Sequence, residues 1–263
     1  MTAPTEVSVP LIDISGYLDG DSSAKKNVID LVRDACERQG FLQIVGHRVS
    51  PDIRNRFMNV IQQFFALPIS TKESISQDKS PCNRGYEKLG GQKLEQLESD
   101  ATTDQKEGFS VRRDRPLGDF LQGPNQWPPE QLVPNFKNVY MEYFDAVHGL
   151  SKTMFRIIAV SLGLQEEYFD EFAADPDGTC LCRAHHYPPT PKDARTRGVG
   201  AHTDFGALTL LAQDNVEGLE VLHRPTGTWH PVPALPGAYV VNIGDLMRKL
   251  CPDRIPESWA LSY

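Results

Sequence analysis

After Thr179 the chain changes texture, and that change limits its fold more than any other feature. Up to Leu162 the apolar residues recur at helical spacing. Beyond Thr179 they fall into short runs, Cys180–Tyr187, Ala207–Ala212, Leu219–Leu222 and Tyr239–Ile243, separated by turn residues. Pro225-Thr226-Gly227-Thr228 reads as a hairpin turn between Leu219–His223 and Thr228–Val232. Helices first and an antiparallel strand run second predict an α+β chain, with helices packed against a sandwich or barrel.

Within the first part, Val9–Ile14 and Phe41–Val45 read as strands. A helix over 24–39 carries the stripe Val28, Leu31, Val32, Ala35 and Cys36 and stops at Gly40. Ser50-Pro51 is a helix start, with serine as N-cap and proline in the first turn, and Ile53, Phe57, Ile61, Phe64 and Phe65 follow on one face. A long helix over 132–162 ends at Gly163. Between them, 76–130 is polar and rich in glycine and proline, so we expect a long functional loop with short strands.

Lys and Arg number 27 against 35 Asp and Glu, a net charge of −8, which argues against a partner bound by its phosphate backbone. The chain is 40% apolar, enough for a core, and has no apolar run long enough to span a membrane. The five cysteines are scattered and odd in number, which fits reduced thiols in a cytoplasmic protein rather than a disulfide framework. No basic and apolar leader opens the sequence.

The sharpest chemical signal is His202-Thr203-Asp204. On a strand, positions i and i+2 face the same side, so the imidazole and carboxylate can converge on one ion. His-x-Asp supplies two corners of a facial triad for non-haem Fe(II). The plain alternative is a His–Asp contact in a loop. Arg183, His185 and Tyr187 share one face of their strand. His47 reads as a structural histidine at a strand end, and Asn242 and Asp245 as residues that fix a strand-to-loop corner.

Several segments, in order, resemble the isopenicillin-N-synthase-like 2-oxoglutarate/Fe(II)-dependent dioxygenases. They are Val9-Pro10-Leu11-Ile12-Asp13, Gly40 to His47, Phe64 to Pro68, Asn83-Arg84-Gly85-Tyr86 and Lys106-Glu107-Gly108-Phe109. Arg183 to Pro188, His202 to Gly206, Gly218 to Val221 and Val241 to Asp245 complete the series. The resemblance implies a single domain over 1–263, with a helical part to about 175 and a double-stranded β-helix (jelly roll) over about 176–263. It implies Fe(II) held by His202 and Asp204, 2-oxoglutarate as cosubstrate with Tyr187 helping to hold it, and O₂. The reaction would be hydroxylation, desaturation or cyclisation of a small metabolite, secondary metabolites included. No nucleic acid or membrane partner is implied. Arg84, Phe109 and His185 would line the substrate pocket, Arg84 by pairing with a substrate carboxylate; the alternative for Arg84 is an exposed loop arginine, and for Tyr187 a rim tyrosine before Pro188.

The family pattern continues with a distal histidine ligand and an Arg-x-Ser for the far carboxylate of 2-oxoglutarate. The seven histidines here end at His230, and no Arg-x-Ser follows Asp245. The expectation is therefore a C-terminally truncated and impaired oxygenase lacking its last jelly-roll strands. The alternatives are a catalytically dead pseudoenzyme acting as a binding module, or a rebuilt site in which His185 is the third ligand.

Overall fold

A computed structural model describes residues 9–94, 103–189, 197–223 and 226–250, and the backbone of 261–262. In chain order the elements are β1 (Leu11–Asp13), α1 (Ser15–Asp19), α2 (Ser22–Arg38), β2 (Phe41–Val45), α3 (Pro51–Phe65) and α4 (Ile69–Ser74). They continue with β3 (Gly85–Glu87), β4 (Glu107–Val111), α5 (Phe136–Ser161), α6 (Asp170–Ala173), β5 (Cys182–His186) and β6 (Leu208–Leu211). The last are β7 (Glu220–His223), β8 (Thr228–Pro231), β9 (Tyr239–Ile243), α7 (Asp245–Leu250) and β10 (Leu261–Ser262).

Local chemistry sets the helix starts. Asp21 caps α2 by accepting from the Ser23 and Ala24 amides, and Ser50 caps α3 through the Asp52 amide. Gly40 and Gly163 take the left-handed backbone (φ 70° and 74°) that ends a helix at low steric cost.

The strands form three sheets. One runs β1-β2-β9-β6, so strands from the two ends of the sequence share it; β1 and β2 are parallel and the other pairs antiparallel. The second is the antiparallel β3-β4-β5, and the third is β10-β7-β8. The expected hairpin is the β7–β8 pair, with Gly227 at φ 65° in its turn; residues 224 and 225 lie outside the described part.

The 76–130 segment carries the expected short strands, β3 and β4, and these are buried along their whole length. Their pattern is hidden in the sequence: Tyr86 and Phe109 face an aromatic core, while polar residues face the other way and are buried too. Phe109 packs against Phe64, Phe136 and Tyr140 with ring centroids 4.7, 5.3 and 5.7 Å apart. The Tyr140 hydroxyl reaches the carbonyls of Phe109 and Cys182, tying α5 to β4 and β5. One core cluster therefore takes residues from Ile12 through Met247.

Candidate metal and cosubstrate site

His202 and Asp204 lie in the segment leading into β6, outside any named strand. Their convergence therefore owes little to strand alternation. It is built by hydrogen bonds that fix one end of each side chain and leave the other end open. The His202 Nδ1 lies 2.8 Å from the Gly200 carbonyl, which makes Nδ1 the protonated nitrogen and leaves Nε2 with its lone pair. Asp204 Oδ2 accepts from Thr209 Oγ1 at 2.6 Å and from Asn242 Nδ2 at 2.8 Å. The remaining atoms, His202 Nε2 and Asp204 Oδ1, stand 3.7 Å apart. That is too long for a hydrogen bond. It suits two donors sharing one cation, and second-layer anchoring of this kind is what orients metal ligands. A nitrogen and a carboxylate oxygen are also a donor set that Fe(II) accepts.

The corner between β9 and α7 presses against this segment. The Gly244 amide donates to the Ala207 carbonyl, and the amides of Asp245 and Leu246 donate to the carbonyls of Asp204 and Gly206. A Cβ on Gly244 would fall 2.0 Å from the Gly206 oxygen and 2.9 Å from the Asp204 oxygen, so only glycine allows the approach. Asp245 Oδ2 accepts from Thr203 Oγ1 at 3.0 Å, a side-chain contact in place of the expected bond to backbone. Asn242 does more than fix the corner, because it holds the candidate ligand itself. Thr209, its register partner on β6, was not anticipated. Alternation along two paired strands was the signal that could have found both.

A further anchor comes from the loop before β4. Buried Asp104 accepts from the Gly200 amide at 3.0 Å, and the Gln105 amide donates to the Arg197 carbonyl at 3.1 Å. The turn that holds His202 is thus itself held.

The other expected site residues separate. Tyr187 follows β5 and is half-buried, and burial pushes its phenol above the usual range. His185, on β5, is held neutral: burial first, then the nearby charges of Lys106, Arg183 and His202, drive its pKa well below the ordinary histidine value. Among the described residues no group of three or more His, Cys, Asp or Glu forms a metal site, so His185 does not join His202 and Asp204 as a third donor.

Arg84 and Phe109 are corrections. Arg84 is fully buried, and its guanidinium donates to the carbonyls of Arg113 and Leu121 and to Asn125 Oδ1. It is neither an exposed loop arginine nor open to a substrate carboxylate; it locks the loop after β4. Phe109 is buried in the aromatic core on the opposite side of its sheet from Gly108. His47 is structural as expected: Nδ1 accepts from the Val49 amide, Nε2 meets the Gly237 carbonyl, and the ring packs edge-on to Tyr239.

Residues 9–130 match the family described as the N-terminal part of non-haem dioxygenases in morphine synthesis, and 178–258 match the 2OG-Fe(II) oxygenase superfamily. The 2-oxoglutarate-Fe(II) type oxidoreductase hxnY of Emericella nidulans is 41% identical over 265 residues, spanning 96% of this chain and 73% of the relative. The chain belongs to the 2-oxoglutarate/Fe(II) dioxygenases. It is an oxidoreductase of a family that uses Fe(II), 2-oxoglutarate and O₂. Among solved structures, a full-length Neurospora crassa protein in complex with alpha-KG matches with a TM-score of 0.87 at 31% identity, over 99% of this chain and 80% of that one. The same protein with alpha-KG and thymine matches at 0.84 and 29%, over 99% and 80%. The sheets and helices of this dioxygenase thus follow those of solved family members. A similarity that runs along nearly its whole length gives no support to the expected impairment, or to a catalytically dead binding module.

Proposed function

We propose that His202 Nε2 and Asp204 Oδ1 hold Fe(II), that Tyr187 contacts 2-oxoglutarate, and that the sheets form part of a jelly-roll core around them. The observation that carries this reading is the pair of open donor atoms 3.7 Å apart, each with its far end fixed by a hydrogen bond. When bound, Fe(II) with 2-oxoglutarate and O₂ supplies the oxidising power for attack on an unactivated C–H bond. The protein's own work is positioning. Gly200 fixes the imidazole tautomer, and Thr209 and Asn242 hold the carboxylate so that one oxygen points outward. Half-buried Tyr187 keeps its proton at neutral pH, so its hydroxyl can donate to a carboxylate.

The substrate is a small organic molecule, a size class that the thymine complex of the Neurospora protein supports. We take the chain as one folding unit, since the β1-β2-β9-β6 sheet draws on both its ends. We place it in the cytoplasm: Cys36, Cys82, Cys180 and Cys182 are free thiols, and no helix among the described residues is long and apolar enough to cross a membrane. The test is succinate formation coupled to O₂ uptake with Fe(II) and 2-oxoglutarate. The purified chain is expected to produce succinate and Asp204→Ala to produce none; succinate at equal rates from both would refute the assignment.

A further inference from the structure

His202 and Asp204 are anchored in different ways. Asp204 is gripped from two strands, by Thr209 on β6 and Asn242 on β9. The His202 ring is held at Nδ1 by the Gly200 carbonyl, 2.8 Å away. Gly200 lies outside every named helix and strand, so no ladder of backbone hydrogen bonds sets the direction of that carbonyl.

Asp104 does what a ladder would do. Its Oδ1 accepts from the Gly200 amide at 3.0 Å and from the Leu94 amide at 3.4 Å. Asp104 is 2% exposed and Gly200 is buried, so water does not compete for the bond between them. An ionised acceptor also makes that bond stronger than one to a neutral group. Lys106, 4% exposed, is the counter-charge. Its ammonium stands 3.8 Å from Asp104 Oδ2, too far for a hydrogen bond and close enough to compensate a buried carboxylate. Lys106, Asp104, Gly200 and His202 are therefore linked in series by contacts of 3.8, 3.0 and 2.8 Å.

The consequence is chemical. A neutral histidine ring in water favours the proton on Nε2, whereas a metal needs the donor nitrogen bare. An acceptor placed at Nδ1 reverses that preference. The Gly200 carbonyl is such an acceptor, and it stays aimed at Nδ1 while the Gly200 amide is held. We propose that Asp104 is a positioning residue for His202: by gripping the Gly200 amide it aims the Gly200 carbonyl at Nδ1 and keeps Nε2 open. The proposal rests on the reading of His202 as a metal donor.

Nitrogen-15 NMR of the histidine rings in the metal-free chain at pH 8 tests it, with the His202 signals assigned from His202→Ala. Lys106→Met is the common background, so that no variant leaves an unpaired ammonium buried. Asp104→Asn keeps a carbonyl oxygen that can accept from Gly200, whereas Asp104→Leu keeps the volume and removes the acceptor. Wild type and Asp104→Asn/Lys106→Met should hold the His202 proton on Nδ1. In Asp104→Leu/Lys106→Met the tautomer ratio should move at least about fivefold towards Nε2, the worth of one hydrogen bond. Mn(II) affinity should fall about fivefold in the leucine variant and stay within about twofold of wild type in the asparagine variant. Asp104→Ala/Lys106→Met replaces the leucine variant if that does not fold by circular dichroism. Four results would overturn the proposal: a wild-type ring with its proton on Nε2, a wild-type ratio without the Asp104 acceptor, an asparagine variant that loses the ratio as fully, or a moved ratio with unchanged Mn(II) affinity. The ratio is read without metal, so it succeeds or fails separately from the succinate assay.

Discussion

Glu87 and Glu107 sit on adjacent strands of one sheet, both buried, and their surroundings are opposite. Glu107 faces the side occupied by α4. Lys72 Nζ donates to it at 2.7 Å, the Tyr86 hydroxyl at 2.6 Å, and His186 Nδ1 lies 2.8 Å from its other oxygen. Burial alone would raise its pKa, but those three partners outweigh it and the carboxyl is held below its usual value. Glu87 faces the opposite side of the sheet. Its Oε2 has no hydrogen bond, Arg183 stays 4.0 Å away, and burial pushes its pKa up. One face of the sheet is a closed ionic network that joins elements; the other leaves Glu87 Oε2 and His185 Nδ1 buried without hydrogen bonds.

The largest effect that would break this contrast is on stability. Glu107→Gln should cost about 3 kcal/mol in urea unfolding at pH 7, because Lys72 is left buried without its counter-charge. A carboxyl with a lowered folded pKa stabilises above its unfolded value, near 4.5, and loses that contribution as pH falls through the folded value. The difference between wild type and Glu107→Gln should therefore shrink below about pH 4. A cost that persisted unchanged at lower pH would show that packing, not charge, holds the network.

The next effect is on the metal donors. Asn242→Ala removes a hydrogen bond from Asp204 and should weaken Mn(II) binding about tenfold while the fold is kept. The smallest is Glu87→Gln, which should leave stability at pH 7 unchanged or raise it by about 1 kcal/mol, since a buried carboxylate without a hydrogen bond at Oε2 is replaced by a neutral amide. The sign follows from linkage: a raised folded pKa costs nothing below the unfolded value and its cost grows as pH rises through the folded value, so any gain should appear only above about pH 4.5. A loss of several kcal/mol would mean that Glu87 is a structural acid like Glu107.

The contrast also explains what could be read from the sequence. The α2, α3 and α5 helices were legible because their apolar stripes, capping residues and terminal glycines agree with one another. β2 and β9 were legible as short apolar runs between turn residues. His202 and Asp204 were legible as a spacing, but the reason they converge was not, since it depends on Gly200, Thr209 and Asn242, which are distant in sequence or chemically ordinary. Short strands were expected within 76–130, but the burial of β3 and β4 was not legible, because both of their faces are covered and one is polar, so neither the alternation nor an unbroken apolar run appears. Arg84 misled for a related reason: an arginine in a glycine-rich stretch reads as a surface residue, and its carbonyl partners come from a loop about thirty residues on.

The central claim is that His202 and Asp204 act together on one cation. Electron paramagnetic resonance titration of Mn(II) into wild type and His202→Ala tests it most directly. Wild type should bind one Mn(II) per chain, with the affinity falling at least about tenfold in His202→Ala and the far-ultraviolet spectrum unchanged. Equal Mn(II) affinity in the two folded proteins would contradict the account.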